Sequence, residues 1–204
     1  MNDQTKDELT ADEQLVTRFI AGDERAFDLI VQRYYRQIFG FLARFTGDRD
    51  LAEDLTQETF IKVHKSAKTF DPARSFKPWL FSIAANKARD ALRAVKRSLK
   101  TVDIHANQSD RDTSLIDIIA GDHEPPDKRM IEGERAERVK HALSQMSENL
   151  REVLVLAYYE RLQYKEIADM LGIPLGTVKS RLHKAVMTFG EIWKAMEDEH
   201  TTPE

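Results

Sequence analysis

The side chains best suited to a chemical task lie between Pro174 and Thr188, where cations and hydroxyls share one side of a predicted helix. On a helical wheel of about 100° per residue they lie opposite an apolar stripe, and no acid interrupts the segment. Lysine or arginine on such a helix can read guanine edges in a major groove, while flanking cations and hydroxyls hold phosphates. The pattern therefore favours DNA binding over an ordinary solvated basic face. The candidate contacts are Thr177, Lys179, Ser180, Arg181, His183 and Lys184.

A second concentration of positive charge lies in residues 73–100, which contain eight lysines and arginines and one acid, for a net charge of +7. The whole chain carries −4, because residues 1–58 have a net charge of −6 and residues 101–132 have −5. Charge is therefore arranged in blocks, and the basic block is a candidate nucleic-acid surface. Asn86 lies within it, and its amide can both donate to and accept from a base edge.

A third group of candidate functional side chains contains two carboxylates and an amide. Asp54, Gln57 and Glu58 are spaced i, i+3, i+4, so they share one face of a helix. Such a face suits a basic partner helix, although a charged face of this kind is also an ordinary solvated surface. The spacing alone leaves both interpretations open.

Catalytic chemistry is not indicated. The six histidines are scattered without the paired spacing of a metal site, and the chain has no cysteine. No glycine-rich phosphate loop or nucleophile elbow is present. We therefore expect no catalytic residue, no metal and no cofactor. The polar, acidic first residues and the short apolar runs argue against a secretory signal or membrane span, and the lack of cysteine fits a cytoplasmic protein.

The DNA-reading residues require a helix-turn-helix to position them. Tyr164, Ile167, Ala168 and Leu171 are spaced i, i+3, i+4, i+7, which predicts one packing face on a short helix. Gly172 supplies a tight turn with positive φ, and the following proline suits the start of a second helix. The predicted core face of that second helix consists of Val178, Leu182, Ala185, Val186 and Phe189.

The remainder of the chain also has helical periodicity. Thr10 to Glu13 has the spacing of a capping box, either Asp48 or Asp50 can cap a later helix, and Pro78 suits the first turn of another. Thr69–Lys77 is predicted to be a loop. We predict an all-α protein of two helical domains joined by a flexible linker. The predicted boundaries are residues 1–97, an acidic linker at 98–133 that includes the apolar patch Leu115, Ile116, Ile118 and Ile119, and residues 134–204 with the helix-turn-helix.

Three motifs in order along the chain resemble the extracytoplasmic-function class of bacterial RNA polymerase sigma factors. They are DLTQETF at 54–60, FKPWLFSIAAN at 76–86 and GTVKSR at 176–181. The resemblance covers about residues 12–190 with the right order and spacing, so it is far more specific than one helix-turn-helix. It implies a subunit that binds core polymerase, directs it to −10 and −35 promoter elements and promotes DNA melting.

The resemblance also implies a role for each set of residues. Asp54, Gln57, Glu58 and Phe60 would dock on the clamp coiled coil of the largest polymerase subunit. The −35 element would be bound as duplex by the helix-turn-helix residues above. Asn86 and the loop Thr69–Lys77 would lie near an unpaired base of the −10 element. The residues that would open and hold this element are Arg74, Phe76, Lys77, Trp79, Asn86, Lys87, Arg89 and Arg93. Two of these have alternatives: Trp79 and Phe76 can stack on a base or pack in the core.

Further partners follow from the same resemblance. An anti-sigma factor is expected as a regulator, and the flap of the polymerase as a second contact. The acidic linker would thread toward the RNA exit path, or serve only as a tether. Two other function classes stay open on the residues alone: a stand-alone helix-turn-helix regulator with an N-terminal sensing or dimerisation domain, and a helical interaction protein that does not contact DNA.

Overall fold

The computed structural model describes residues 11–101 and 126–201, and within them every regular element is a helix. The predicted all-α fold is therefore confirmed. Its elements are α1 (Asp12–Ile20), α2 (Glu24–Thr46), α3 (Arg49–Ser66) with a 3-10 turn (Ala67–Thr69), α4 (Phe76–Thr101), α5 (Pro126–Gln145), α6 (Glu148–Leu154) continued by a π turn (Val155–Tyr159), α7 (Tyr164–Leu171) and α8 (Leu175–Thr201).

The N-terminal domain packs α1, α3 and α4 around the long helix α2. Phe41 and Phe45 of α2 and Phe81 of α4 are fully buried, and the Phe41 and Phe81 rings meet edge-to-face with centroids 5.5 Å apart. Truncating a buried phenylalanine typically costs about 3–5 kcal/mol. These rings therefore fix α4, which carries the basic block, against the rest of the domain.

The C-terminal domain closes around α6 and the first half of α8. Val153, Leu156, Ile167 and Val178 are fully buried. The Gln163 side chain accepts from the backbone of α7, and the Glu166 carboxylate accepts from the Gln163 N–H, so two of the backbone donors at the start of α7 are satisfied. This capping box, which does not involve a serine or threonine, was not predicted.

Several local predictions hold. Gly172 ends α7 with φ of 64°, a left-handed conformation that strains residues with a Cβ. Of the two candidate caps for α3, Asp48 accepts from Leu51 N at 3.0 Å. Pro78 lies in the first turn of α4. The loop prediction needs a small change, because its first residue, Thr69, closes the 3-10 turn and Phe76 already begins α4.

Other predictions need correction or lie outside the described residues. Tyr164 and Val186, both assigned to packing faces, are 42% exposed. Tyr164 is the first residue of α7, and Val186 lies at the edge of the apolar stripe of α8. Helix α4 continues past residue 97 to Thr101, and α5 begins at Pro126 within the predicted linker. The Thr10 cap and the apolar patch at 115–119 lie outside the described residues.

Neither residues 11–101 nor residues 126–201 contain a helix that is both long enough and apolar enough to cross a membrane.

Candidate nucleic-acid interface

The helix-turn-helix presents most of the predicted DNA-reading residues to solvent. Lys179, Ser180, His183 and Lys184 of α8 are exposed, while Thr177 and Arg181 are half-buried. The Ser180 hydroxyl donates to the Thr177 carbonyl at 3.1 Å, so it is held against its own helix. The face is therefore formed as predicted, with Arg181 at its inner edge.

Helix α4 places the basic block along its own length. Asn86 is exposed, and its side-chain oxygen accepts from Arg89. Arg74 and Arg93 are the most exposed of the predicted −10 cations, with side chains 81% and 63% exposed, and each forms an ion pair with an acid three residues away. Exposed pairs of this kind are worth about 0–1 kcal/mol, so both cations can leave them for a phosphate.

Phe76 is a core residue, which answers one of the open alternatives. Its side chain is fully buried, with ring centroids 5.6 Å from Phe70 and 5.7 Å from both Tyr34 and Trp79. Its N–H donates to a Glu13 carboxylate oxygen at 2.9 Å. The expectation that Phe76 contacts DNA is therefore wrong for this conformation. Trp79 is partly buried against the same core, which favours the packing alternative.

The predicted polymerase face is present on α3, with one exception. Asp54, Gln57 and Glu58 are exposed, but Phe60 is only 7% exposed and stacks on Tyr35. Phe60 follows Glu58 by two residues, which places it about 200° away around the helix. The prediction that it contacts the polymerase is therefore corrected to a core role. Glu58 accepts from Lys87 at 2.6 Å, which links this face to the basic block.

Part of the basic block faces the C-terminal domain rather than solvent. Three acids of that domain approach three cations of α4. We call these pairs the interdomain clasp: Lys77 with Glu160 at 3.9 Å, Arg89 with Glu152 at 3.7 Å and Lys96 with Glu148 at 2.7 Å. The Lys77 ammonium also donates to the Glu160 carbonyl at 2.8 Å.

Two of the clasp carboxylates are buried, with Glu152 2% and Glu160 6% exposed. Burial raises the pKa of Glu152 to about 7, and Arg89 and Arg181 oppose that rise. Burial likewise raises the pKa of Glu160 to about 7, opposed by Lys77 and Arg44. Sequence reasoning missed both acids. The available signal was their position at the two ends of the apolar run Val153–Tyr159, which Glu152 precedes and Glu160 follows.

Metal chemistry has no site among the described residues, where no group of three or more His, Cys, Asp or Glu side chains converges. The arrangement instead presents two separate cationic surfaces and one acidic face. The cations of helices α4 and α8 can bind nucleic-acid phosphates, and the acidic face of α3 can bind a basic protein.

Comparison with known proteins gives matches over both described segments. The family described as Sigma-70 region 2 matches residues 30–98, and that described as Sigma-70, region 4 matches residues 136–188. The RNA polymerase sigma-H factor of Pseudomonas aeruginosa is 37% identical over 174 residues, which cover 85% of this chain and 89% of that protein. The ECF RNA polymerase sigma-E factor of Haemophilus influenzae is 34% identical over 181 residues, covering 87% of this chain and 93% of that protein.

A solved structure has a similar arrangement of helices. It contains the sigma factor RpoE of Bartonella quintana in complex with the anti-sigma factor NepR, and it matches with a TM-score of 0.67 at 24% identity. The match covers 82% of this chain and 96% of that chain, and it shows a shared fold.

Proposed function

The chain belongs to the extracytoplasmic-function class of bacterial RNA polymerase sigma factors, and we propose that its two basic surfaces divide promoter recognition between them. As a sigma factor it binds core RNA polymerase, directs it to specific promoters through −10 and −35 elements and promotes DNA melting. We divide −10 and −35 recognition in this way because the two cationic surfaces lie on different helical domains. A stand-alone helix-turn-helix regulator would need only one of them.

The −35 element is assigned to α8. The N-terminal half of α8 is the part that enters a major groove in helix-turn-helix proteins. Its exposed residues include Lys179, Ser180, His183 and Lys184. Arg181 is the candidate for a bidentate contact with guanine, since its guanidinium fork matches the O6 and N7 acceptors. Thr177, near the helix start, is the proposed phosphate contact.

The −10 element is assigned to α4 and the loop before it. Single-stranded DNA binds to proteins that supply cations along the backbone and polar groups for unstacked bases. Arg74, Lys87 and Arg93 supply cations, and Asn86 is an exposed amide among them. Lys77 and Arg89, which pair with Glu160 and Glu152 in this arrangement, complete the set. Phe76 and Trp79 pack against Phe70 of the loop.

Polymerase binding is assigned to Asp54, Gln57 and Glu58. They form an exposed acidic and amide face on α3, which suits a basic coiled coil on the largest subunit. Catalysis of RNA synthesis then rests with the polymerase, and we assign no catalytic residue, metal or cofactor to this chain. We propose residues 1–97 as sigma region 2, 98–133 as the linker and 134–204 as region 4, which contacts the flap. The region 2 match at residues 30–98 ends one residue beyond the first of these limits, and the region 4 match at residues 136–188 lies within the last.

Regulation by an anti-sigma factor completes the function. The Bartonella quintana relative by fold is held by such a protein, and this chain has the same two-domain helical architecture. The direct test of the whole proposal is run-off transcription with purified core polymerase on a genomic promoter library. Promoter-specific transcripts that depend on this chain are expected, and their absence would contradict it.

Replacing Asn86 by alanine should impair DNA melting while leaving core polymerase binding unchanged. The yield of open complex should fall roughly tenfold, since a lost base contact worth about 1.4 kcal/mol is a factor of ten. Permanganate reactivity of unpaired thymines in the bubble measures it. Asn149→Ala, which removes an exposed amide from the C-terminal domain, is the matched control. Normal permanganate reactivity in the Asn86 variant would remove this residue from the −10 site.

A further inference from the structure

The loop before α4 is a short polar turn held between two buried rings. Phe70 and Phe76 are 5% and 0% exposed, with ring centroids 5.6 Å apart, while residues 71–75 between them are exposed. Within the turn, the Asp71 carboxylate accepts from the Ala73 N–H at 3.0 Å. The loop therefore presents its polar residues from two fixed ends, and the second of these ends is the first residue of α4.

The first turn of α4 has backbone donors that its own helix cannot satisfy. The N–H groups of a first helical turn have no partner within the helix, and Pro78 in this turn has no N–H. The Phe76 N–H donates to the Glu13 carboxylate at 2.9 Å, across 63 residues of sequence. A carboxylate at this place forms a charge-assisted hydrogen bond and lies at the positive end of the helix dipole. Glu13 of α1 is therefore an N-terminal cap of α4.

Asp12, the residue before Glu13, fixes α1 on α2. Its carboxylate accepts from the Arg33 guanidinium at 2.5 Å and from the Tyr34 hydroxyl. Tyr34 is 4% exposed, and its ring meets the Phe76 ring edge-to-face with centroids 5.7 Å apart. Burial, followed by the hydrogen bond to Asp12, raises the pKa of Tyr34, so its hydroxyl remains a donor at neutral pH. Adjacent residues thus join α1 to α2 and to α4, which restricts where the Glu13 carboxylate can lie.

The position of Glu13 is unfavourable for an acid without a structural task. Its partner Phe76 lies between Arg74 and Lys77 in the sequence, two cations of the proposed −10 surface. A carboxylate beside such a surface repels the phosphates that the cations attract. The spacing of Glu13 from Thr10 predicted a cap on α1 itself, yet the carboxylate is bonded to α4. This hydrogen bond accounts for an acid next to a DNA-binding surface.

We propose that Glu13 is a positioning residue for capture of the unpaired −10 strand: its carboxylate fixes the first turn of α4, and thereby the loop of residues 70–76 that presents Arg74 to DNA. The proposal rests on the assignment of the −10 element to α4 and this loop. Glu13 itself does not contact DNA. Without the cap, the loop is in its DNA-binding conformation for a smaller fraction of the time, and its apparent affinity for the strand falls by that fraction.

Replacing Glu13 by alanine should reduce the yield of open complex about fivefold, the size of effect that loss of a helix cap has on a local equilibrium. Permanganate reactivity of unpaired thymines, measured with holoenzyme on a promoter, gives this yield. The sign of the change is informative, because removal of a negative charge alone would strengthen DNA binding. Affinities for core polymerase and for a −35 duplex should be unchanged, since those contacts are assigned to α3 and α8.

The variant Glu13→Gln separates the hydrogen-bond acceptor from the charge. Its amide oxygen can still accept from the Phe76 N–H, and because a charge-assisted hydrogen bond is roughly twice as strong as a neutral one, the yield should fall only about twofold. Gln14→Ala removes the neighbouring exposed amide and should have no effect. Circular dichroism establishes that each variant keeps its helices. A folded Glu13→Ala variant with parental or greater reactivity would overturn the proposal, as would a Glu13→Gln variant that is equally defective.

A second measurement follows the hydrogen bond itself and does not depend on sigma activity. In the isotopically labelled, full-length chain, NMR hydrogen exchange should show a protected Phe76 amide that exchanges about fivefold faster in Glu13→Ala. The Leu51 amide is the internal reference, because it is held by Asp48 at the start of α3 and should exchange at the same rate in both chains. Equal exchange at Phe76 in the two chains would overturn the proposal.

The outcomes distinguish the positioning role from the proposed function. Normal permanganate reactivity in Asn86→Ala would contradict the −10 assignment on which the role of Glu13 depends. A defective Asn86→Ala variant together with a normal Glu13→Ala variant would leave that assignment intact and overturn only the positioning role. Faster exchange at Phe76 with a normal yield of open complex would also overturn it, because the cap would then serve stability alone. Faster exchange and a lower yield, both largely restored in Glu13→Gln, are the results expected.

Discussion

Replacing Arg181 by alanine should weaken binding to a −35 duplex by about 5- to 150-fold, which corresponds to the 1–3 kcal/mol of a bidentate contact with a base. The side chain lies at the inner edge of the reading face of α8, half-buried, where packing restricts its rotamers before DNA arrives. A restricted side chain loses less conformational entropy on binding, so its contact is among the strongest available. Lys184→Ala should have a similar effect if Lys184 reads a base, and a smaller, sequence-independent effect if it holds a phosphate.

The measurement is fluorescence anisotropy with holoenzyme on promoter duplexes at fixed salt, since phosphate contacts depend strongly on ionic strength. Lys194→Ala is the matched control, because it removes one exposed cation from the same helix nearly three turns beyond Lys184. Sequence preference should relax at one base pair for the Arg181 variant. Unchanged affinity and unchanged promoter choice in both the Arg181 and Lys184 variants would remove α8 as the reading helix.

Local periodicity was sufficient to predict the helix-turn-helix. Ile167 and Val178 were assigned to packing faces and are fully buried, and Gly172 has the positive φ that the turn requires. These features depend on contacts within about 20 residues, where helical spacing fixes which side chains share a face. Tyr164 was misassigned because it is the first residue of its helix, and Val186 because it lies at the edge of an apolar stripe; at both positions, burial depends on contacts with other elements that periodicity does not specify.

The family motifs located the functional segments but did not separate contact residues from core residues. In the motif of α3, Asp54 and Glu58 are exposed while Phe60 is buried. In the motif of α4, Asn86 is exposed while Phe76 is fully buried. A helical wheel applied within each motif separates the α3 residues, since Phe60 lies nearly opposite Glu58.

The interdomain clasp could not be predicted from the sequence. Lys77 and Glu160 are 83 residues apart and lie on different domains, so no periodicity relates them. The division of charge into blocks indicated a nucleic-acid surface at residues 73–100, and acids packed against that block were not predicted. It could not show that the acids would be Glu148, Glu152 and Glu160, because the strongly acidic segments lie elsewhere in the chain. Which acids pair with the cations of α4 is determined by how the two domains pack.

Reversing charge on the α3 face should have the largest effect on assembly. In Asp54→Lys, a cation replaces an exposed carboxylate that is proposed to face a basic coiled coil. Like charges placed together at an interface cost several kcal/mol, so affinity for core polymerase should fall by about 100-fold or more. Asp54 is the better position for this test than Glu58, because Glu58 also accepts from Lys87 and its loss would disturb the basic block.

The measurement is a titration of labelled chain with core polymerase, at two salt concentrations because screening reduces electrostatic contacts. Asp28→Lys, an equal charge change at an exposed position of α2, is the control and should retain its affinity. Binding of the Asp54 variant to an isolated −35 duplex should not fall, since that contact belongs to the other domain. An Asp54 variant that binds core polymerase normally would show that this face is only solvated surface. A variant that loses both activities would point instead to misfolding of the chain. The selective loss expected here therefore distinguishes a docking face from either alternative.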